Sequence, residues 1–259
     1  MHDGLIAFGS NEGNSSQTLD QAVDRLNQVE GIVVSARSRA YQTVPIGGPK
    51  GQDAYLNAAI RVETTLSPQN LHQALIQIES SLGRERRTRW GARKIDLDLL
   101  LFDILQLDSD KLTIPHPRMS FRRFVLDPAC EIAGEMIHPT SGLSLNELAD
   151  CMNRENMVLV VDADESAEFA SMVRDAIPST WNFQTTVDLE SYQKPHETIK
   201  LACLVDRRIE QRSLDCGEES IPDAVGSTTV RFAGPTLQLT LDLDKSRLEI
   251  LAAIEAMSH

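Results

Sequence analysis

Ile95-Asp96-Leu97-Asp98-Leu99-Leu100-Leu101-Phe102 is an apolar run broken only by two aspartates spaced two apart. A run of this length and composition suits a strand, in which alternate side chains share a face, so Asp96 and Asp98 project side by side. Two neighbouring carboxylates repel each other unless a cation lies between them. Hard oxygen donors of this kind suit Mg²⁺, which takes one or two carboxylates and completes its shell with substrate phosphates and water. The plainer alternative is a solvated sheet face, but the apolar residues around the pair fit a wholly exposed strand poorly. Just upstream, Arg84, Arg86, Arg87, Arg89, Arg93 and Lys94 stand against the single acid Glu85, with Trp90 among them. Such a patch supplies charge for phosphates and a planar surface for a ring.

Working back from this strand, the pattern predicts a strand at Leu5–Phe8 and a helix over 17–29 capped by Ser16 or Thr18. A strand at Ile32–Ala40, a Pro- and Gly-rich loop over Tyr41–Gln52 and an alternating strand at Tyr55–Thr64 follow. Ser67-Pro68 opens a second helix that Gly83 stops. The order β-α-β-β-α-β predicts an α+β fold with a ferredoxin-like antiparallel sheet backed by helices. Gly9–Gly13 is a tight turn entering a helix; it is no phosphate loop, since no Lys-Ser/Thr pair follows it.

After about residue 150 the pattern restarts. Strands are expected at Met157–Val161, Ile199–Val205 and Thr236–Leu241, helices at Ser166–Ile177 and Asp244–Met257, and a loop at Asp206–Gly226. The expected organisation is therefore a domain over 1–150 and a small α/β domain over 151–259. Hydrophobic residues at 41% and charged residues at 24% fit a folded protein rather than a disordered one. The net charge is −13, of which −4 falls in residues 1–150 and −9 in 151–259. That balance argues against a general nucleic-acid binder and makes the arginine cluster a site for a discrete anion such as a polyphosphate. No apolar run nears the ~20 residues of a membrane span, the N-terminus lacks the pattern of a signal peptide, and the cysteines form no C-x-x-C pair. The expected setting is the cytoplasm.

Several motifs occur together in order: Gly9-Ser10-Asn11, Thr43-Val44-Pro45-Ile46-Gly47, Tyr55-Leu56-Asn57-Ala58-Ala59, Glu79 before Gly83-Arg84, Arg89 to Leu100, and Leu112-Thr113-Ile114-Pro115-His116-Pro117-Arg118-Met119 with Arg122 and Phe124. Over residues 4–150 the chain resembles the 6-hydroxymethyl-7,8-dihydropterin pyrophosphokinases of folate biosynthesis, whose fold is ferredoxin-like. Taken singly, Tyr55 and Phe124 would read as core aromatics and His116 as a turn residue; their joint order makes them site candidates.

The resemblance implies transfer of pyrophosphate from ATP to the pterin hydroxymethyl group with release of AMP. Asp96 and Asp98 would hold two Mg²⁺ ions, and Arg84 and Arg93 would be the catalytic cations. ATP would be bound by Glu79, Arg86, Trp90, Arg93, Leu99, Lys111, Leu112, Thr113, His116 and Arg122. The pterin would lie among Thr43, Val44, Ile46, Tyr55, Asn57, Trp90 and Phe124, with Arg86 and Trp90 in a closing loop. The implied partners are small molecules, with neither nucleic acid nor membrane. An RNA-binding module on the same fold would want exposed aromatics where the fourth strand carries aspartates. A catalytically retired homologue would not be expected to keep the aspartates, Arg84, Arg93 and His116. Residues 151–259 offer no comparable set, and an accessory role in self-association is expected of them.

Overall fold

In the computed structural model, which describes residues 1–46, 51–84, 92–162, 166–186, 199–205, 234–239 and 242–258, β1 (His2–Ser10) occupies the middle of a sheet. On one side lies β4 (Tyr55–Thr64) and on the other β5 (Asp96–Phe102); β2 (Ile32–Arg37) pairs with the far edge of β4, as does the short β3 (Tyr41–Thr43). Every pairing is antiparallel. The region expected to be loop from Tyr41 therefore begins as a strand. Helix α1 (Ser15–Gln28) starts from Asn14, whose side chain accepts the Gln17 N–H at 3.1 Å, so the cap is Asn14 rather than Ser16 or Thr18. Helix α2 (Pro68–Ser81) starts as expected, with Ser67 Oγ accepting the Asn70 N–H at 3.2 Å and Pro68 in the first turn.

Alternation along the strands sorts the two faces of the sheet. Ile6 and Phe8, Ala58, Ile60 and Val62, and Leu97 and Leu99 turn towards Leu19, Ala22 and Leu26 of α1 and Leu71, Leu75 and Ile78 of α2. Each of the larger side chains in this core contributes about 2 kcal/mol relative to exposure. On the opposite face Asn57, Gly9 and Asp96 lie in one row across three strands, and Ala59, Ala7 and Asp98 in the next. Helix α3 (Arg123–Ala133) covers part of that face. Arg61 of β4 fixes its C-terminal end, donating to the Ile132 carbonyl at 3.2 Å and pairing with Glu135 at 2.6 Å while gripping Asp3 at 2.6 and 3.0 Å. The end of the face that carries the aspartates is left half-buried. A β6–β7 ladder (Leu107–Asp108 with Thr113–Ile114) and α4 (Leu145–Cys151) complete this part of the chain.

A buried turn after α3 ties stability to pH. His138 is 5% exposed, and its Nδ1 accepts from the Ser141 N–H at 3.2 Å. Burial pushes its imidazole down from 6.5 to about 4. A histidine depressed in the fold binds more protons when unfolded, so its contribution is present above pH 6.5 and is lost as pH falls towards 4. The loss expected between pH 7 and pH 5 is about 2 kcal/mol from this group. Urea midpoints at the two pH values should differ accordingly, and His138→Gln should remove that share; an unchanged difference in the variant refutes the assignment.

The chain divides into two compact units, Met1–Asp150 with Glu255–His259, and Cys151–Ile254. The second contains a parallel sheet in the order β11 (Thr236–Leu239), β10 (Leu201–Val205), β8 (Met157–Val161), β9 (Asn182–Thr186), with α5 (Ala167–Ala176) between β8 and β9. Val158, Leu159 and Val160, and Leu201, Ala202 and Cys203, are buried without alternation, as suits inner strands of a parallel sheet. The edge strand β9 was not expected from the sequence, and Asp206–Gly226 lies outside the described residues. The closing helix α6 spans Leu243–Ser258. Among the described residues no helix is long and apolar enough to cross a membrane.

Candidate active site

The end of α2 delivers Arg84 to the aspartates. Gly83 adopts φ +85°, the Gly83 N–H donates to the Ser80 carbonyl at 3.1 Å, and the Arg84 N–H donates to the Glu79 carbonyl at 3.0 Å. These are the two bonds of a Schellman motif, which needs a left-handed residue and so favours glycine. Arg84 leaves the helix at a defined angle. Its Nη1 donates to Glu79 Oε1 and its Nη2 lies 2.6 Å from Asp96 Oδ1. The same Glu79 oxygen accepts the Leu97 N–H at 2.7 Å, so a buried carboxylate clips the start of β5 to the end of α2. Burial pushes the Glu79 carboxyl up, against the pull of Arg84 and the Leu97 N–H.

Asp96 is enclosed from both sides. Arg93 Nη1 donates to Asp96 Oδ2. Burial and then the Asp98 carboxylate push the Asp96 carboxyl above its ordinary range, and Arg93 and Arg84 oppose them. Asp96 Oδ1 makes an ion pair with Arg84 whose angle gives no hydrogen bond, and among the described residues none bonds to it. Asp98 is more open, with 44% of its side chain exposed and His116 Nε2 at 3.9 Å from its Oδ2. The Arg118 N–H donates to His116 Nδ1 at 3.3 Å, which leaves the ring proton on Nε2. Burial, then the charges of Arg122 and Arg118, push that imidazole down to about 3, so it faces the aspartates as a neutral N–H donor.

Across Gly9 from Asp96 stands Asn57, 6% exposed, whose Nδ2 donates to Thr43 Oγ1 at 2.8 Å. A side chain at Gly9 would meet Asn57 Oδ1 at 3.5 Å and Asp96 Cβ at 3.9 Å. The glycine therefore keeps the floor between amide and carboxylate at backbone height, where a flat ring can approach the sheet. Tyr55 stands two residues before Asn57 on the same face; burial raises its phenol, and Arg93 opposes the rise.

The model of the 7,8-dihydro-6-hydroxymethylpterin-pyrophosphokinase (HPPK) family matches residues 5–134. The chain belongs to the HPPK family. A 2-amino-4-hydroxy-6-hydroxymethyldihydropteridine pyrophosphokinase from Synechocystis sp. is 39% identical over 153 residues, covering 58% of this chain and 77% of its own. The enzyme of the same name from Bacillus subtilis is 43% identical over 131 residues, covering 51% of this chain and 78% of its own. One from Methylorubrum extorquens is 41% identical over 137 residues, covering 53% and 86%. The resemblance drawn from the ordered motifs is borne out, and the chain is an enzyme of the pyrophosphokinase class.

Of the other expected site residues, Leu99 and Leu112 are buried in the apolar core, 3% and 8% exposed, and the Leu112 main chain is tied to Ser109, its N–H donating to Ser109 Oγ at 3.2 Å and its carbonyl accepting from that hydroxyl at 2.9 Å. Thr113 Oγ1 donates to Asp108 Oδ1 at 3.3 Å, and Lys111 is exposed. The Arg122 guanidinium lies 5.5 Å from the centre of the Phe124 ring at the start of α3. Val44 is exposed and Ile46 half-buried. Arg86 and Trp90 lie outside the described residues. One residue with a place at the site had no role assigned from sequence. Asn11 is 5% exposed and bridges to the backbone of Arg93 and of Asp53; its position in Gly9-Ser10-Asn11 was the only signal.

Proposed function

We propose that this chain transfers pyrophosphate from ATP to the hydroxymethyl group of 6-hydroxymethyl-7,8-dihydropterin, with Mg²⁺ and with release of AMP, as a step of folate biosynthesis. The observation that carries the reading is a single row across the sheet, in which an oriented amide (Asn57) and a carboxylate held by two arginines (Asp96) flank a glycine floor. One side suits the amide edge of a flat heterocycle and the other suits phosphate and metal.

Asp96 and Asp98 fit Mg²⁺ by donor chemistry: both are anionic oxygen ligands from one strand face, and Asp96 Oδ1 is buried with acceptor capacity left over. Two such ions there would neutralise charge developing on the phosphates and align attacker with leaving group. The chain's own residues do the rest. Arg84 and Arg93 each have donors beyond those given to Glu79 and Asp96, and these face incoming phosphate oxygens. His116 contributes a neutral N–H, and Arg122, Lys111 and Thr113, with Leu99 and Leu112, bind the nucleotide. Asn57 reads the pterin amide edge, Tyr55 and Phe124 flank the ring, and Thr43, Val44 and Ile46 line its loop side. Glu79 holds Arg84, while Arg86 and Trp90 are assigned to the closing segment on the resemblance.

In the reaction the hydroxymethyl oxygen forms a bond to the β-phosphorus as the bond to the α–β bridging oxygen breaks. AMP leaves with that oxygen, and the hydroxyl proton passes to water. Protein groups here act by position and charge rather than by covalent chemistry. The frame reads as ferredoxin-like, since the four long strands lie in the order second, third, first, fourth. Residues 151–259 are read as an accessory domain for self-association, and the setting as the cytoplasm. Phosphorus NMR of a mixture of enzyme, Mg²⁺, ATP and the hydroxymethyl dihydropterin should give AMP and the dihydropterin pyrophosphate in equal amounts. Formation of ADP, or no reaction, would overturn the proposal.

A further inference from the structure

Strand pairing between β1 and β5 ends at Gly9 opposite Asp96, two residues short of Asn11 and three short of Arg93. Beyond that point Asn11 continues the ladder with its side chain. Its N–H donates to the Arg93 carbonyl at 3.0 Å, and its Oδ1 accepts the Arg93 N–H at 2.8 Å. The side-chain amide thus stands in for a backbone carbonyl and closes a two-bond bridge on the residue whose guanidinium meets Asp96. The other half of the amide reaches a third segment: Nδ2 donates to the Asp53 carbonyl at 3.1 Å, two residues before Tyr55. With both amide atoms engaged and 5% exposure, Asn11 has a fixed orientation.

We infer that Asn11 is a positioning residue that sets Arg93 for the phosphates through its oxygen and sets the Asp53–Tyr55 segment for the dihydropterin through its nitrogen. The inference rests on the proposed reaction, and the two arms make it separable. Asn11→Asp keeps an oxygen for the Arg93 N–H but turns a carboxylate to the Asp53 carbonyl, which repels it. Asn11→Ala removes both arms.

The test is steady-state kinetics and dihydropterin binding by calorimetry on wild type and both variants, with thermal melting to check the folded fraction. Asn11→Asp should hold kcat within about threefold while raising the dihydropterin KM and Kd about tenfold, and Asn11→Ala should raise both constants and also lower kcat by about tenfold or more. If Asn11→Ala fails to fold, the split between kcat and Kd in Asn11→Asp carries the test alone. Wild-type constants in the folded variants, or equal losses of kcat in both, overturn the inference. A wild-type chain that neither binds dihydropterin nor turns over sinks the proposed reaction instead, and this inference with it.

Discussion

Asp98→Ala should abolish turnover, by about 10³-fold or more, and leave the fold as it was. The first half of this result follows from position. Asp98 shares the open face of β5 with Asp96, and removing one carboxylate of a pair halves the anionic oxygen available to a divalent cation. The second half follows from exposure. With 44% of its side chain open and the neutral imidazole of His116 no nearer than 3.9 Å, Asp98 supports little of the packing. Substitutions at such positions change stability by about 0.5 kcal/mol or less. Turnover assays and a urea melt on one preparation read both halves. Near-normal turnover removes the metal role, and a collapsed melt makes the residue structural.

Glu79→Ala should give the largest loss of stability, about 3 kcal/mol, with Glu79→Gln losing about 1 kcal/mol or less. The alanine strips an acceptor from the Leu97 N–H and from the half-buried Arg84 guanidinium together. Glutamine keeps an oxygen in reach of both. The charge itself adds little, because burial already raises the carboxyl above 4.5 against the pull of Arg84. The sign follows: with the folded value above the unfolded one, this group favours the fold below about pH 4.5, and that advantage is lost as pH rises through the folded value. Denaturant midpoints of the two variants at pH 7 decide the matter, and equal losses would contradict the clip between α2 and β5. Turnover of Glu79→Ala should fall as well, since Arg84 loses the partner that aims it.

The parts legible in the sequence are those in which local pattern and tertiary environment agree. Tyr55–Thr64 and Met157–Val161 match β4 and β8, and Ser67, Pro68 and Gly83 bound α2 as their chemistry requires. The aspartate pair was readable because a period of two needs only the strand. What escaped was non-local or polar. Asn14 takes the cap of α1 although Ser16 and Thr18 are cap formers too, because the turn at Gly13 places its side chain over the first N–H groups. β9, Asn-Phe-Gln-Thr-Thr, carries no apolar alternation because it lies at a sheet edge, where pairing to β8 rather than burial holds it. The Glu79 clip and the Asn11 bridge join residues far apart in sequence, and no local pattern encodes such partners.

The proposed reaction requires Asp96 and Asp98 to hold metal and nucleotide together at the open end of the sheet. Electron paramagnetic resonance of Mn²⁺, used in place of Mg²⁺, measures this directly in wild type and Asp98→Ala, with and without a non-hydrolysable ATP analogue and the hydroxymethyl dihydropterin. Two ions bound by wild type only when the analogue is present, and a loss of at least one in the variant, are the predicted results. Equal Mn²⁺ binding by the two proteins under all conditions would contradict it.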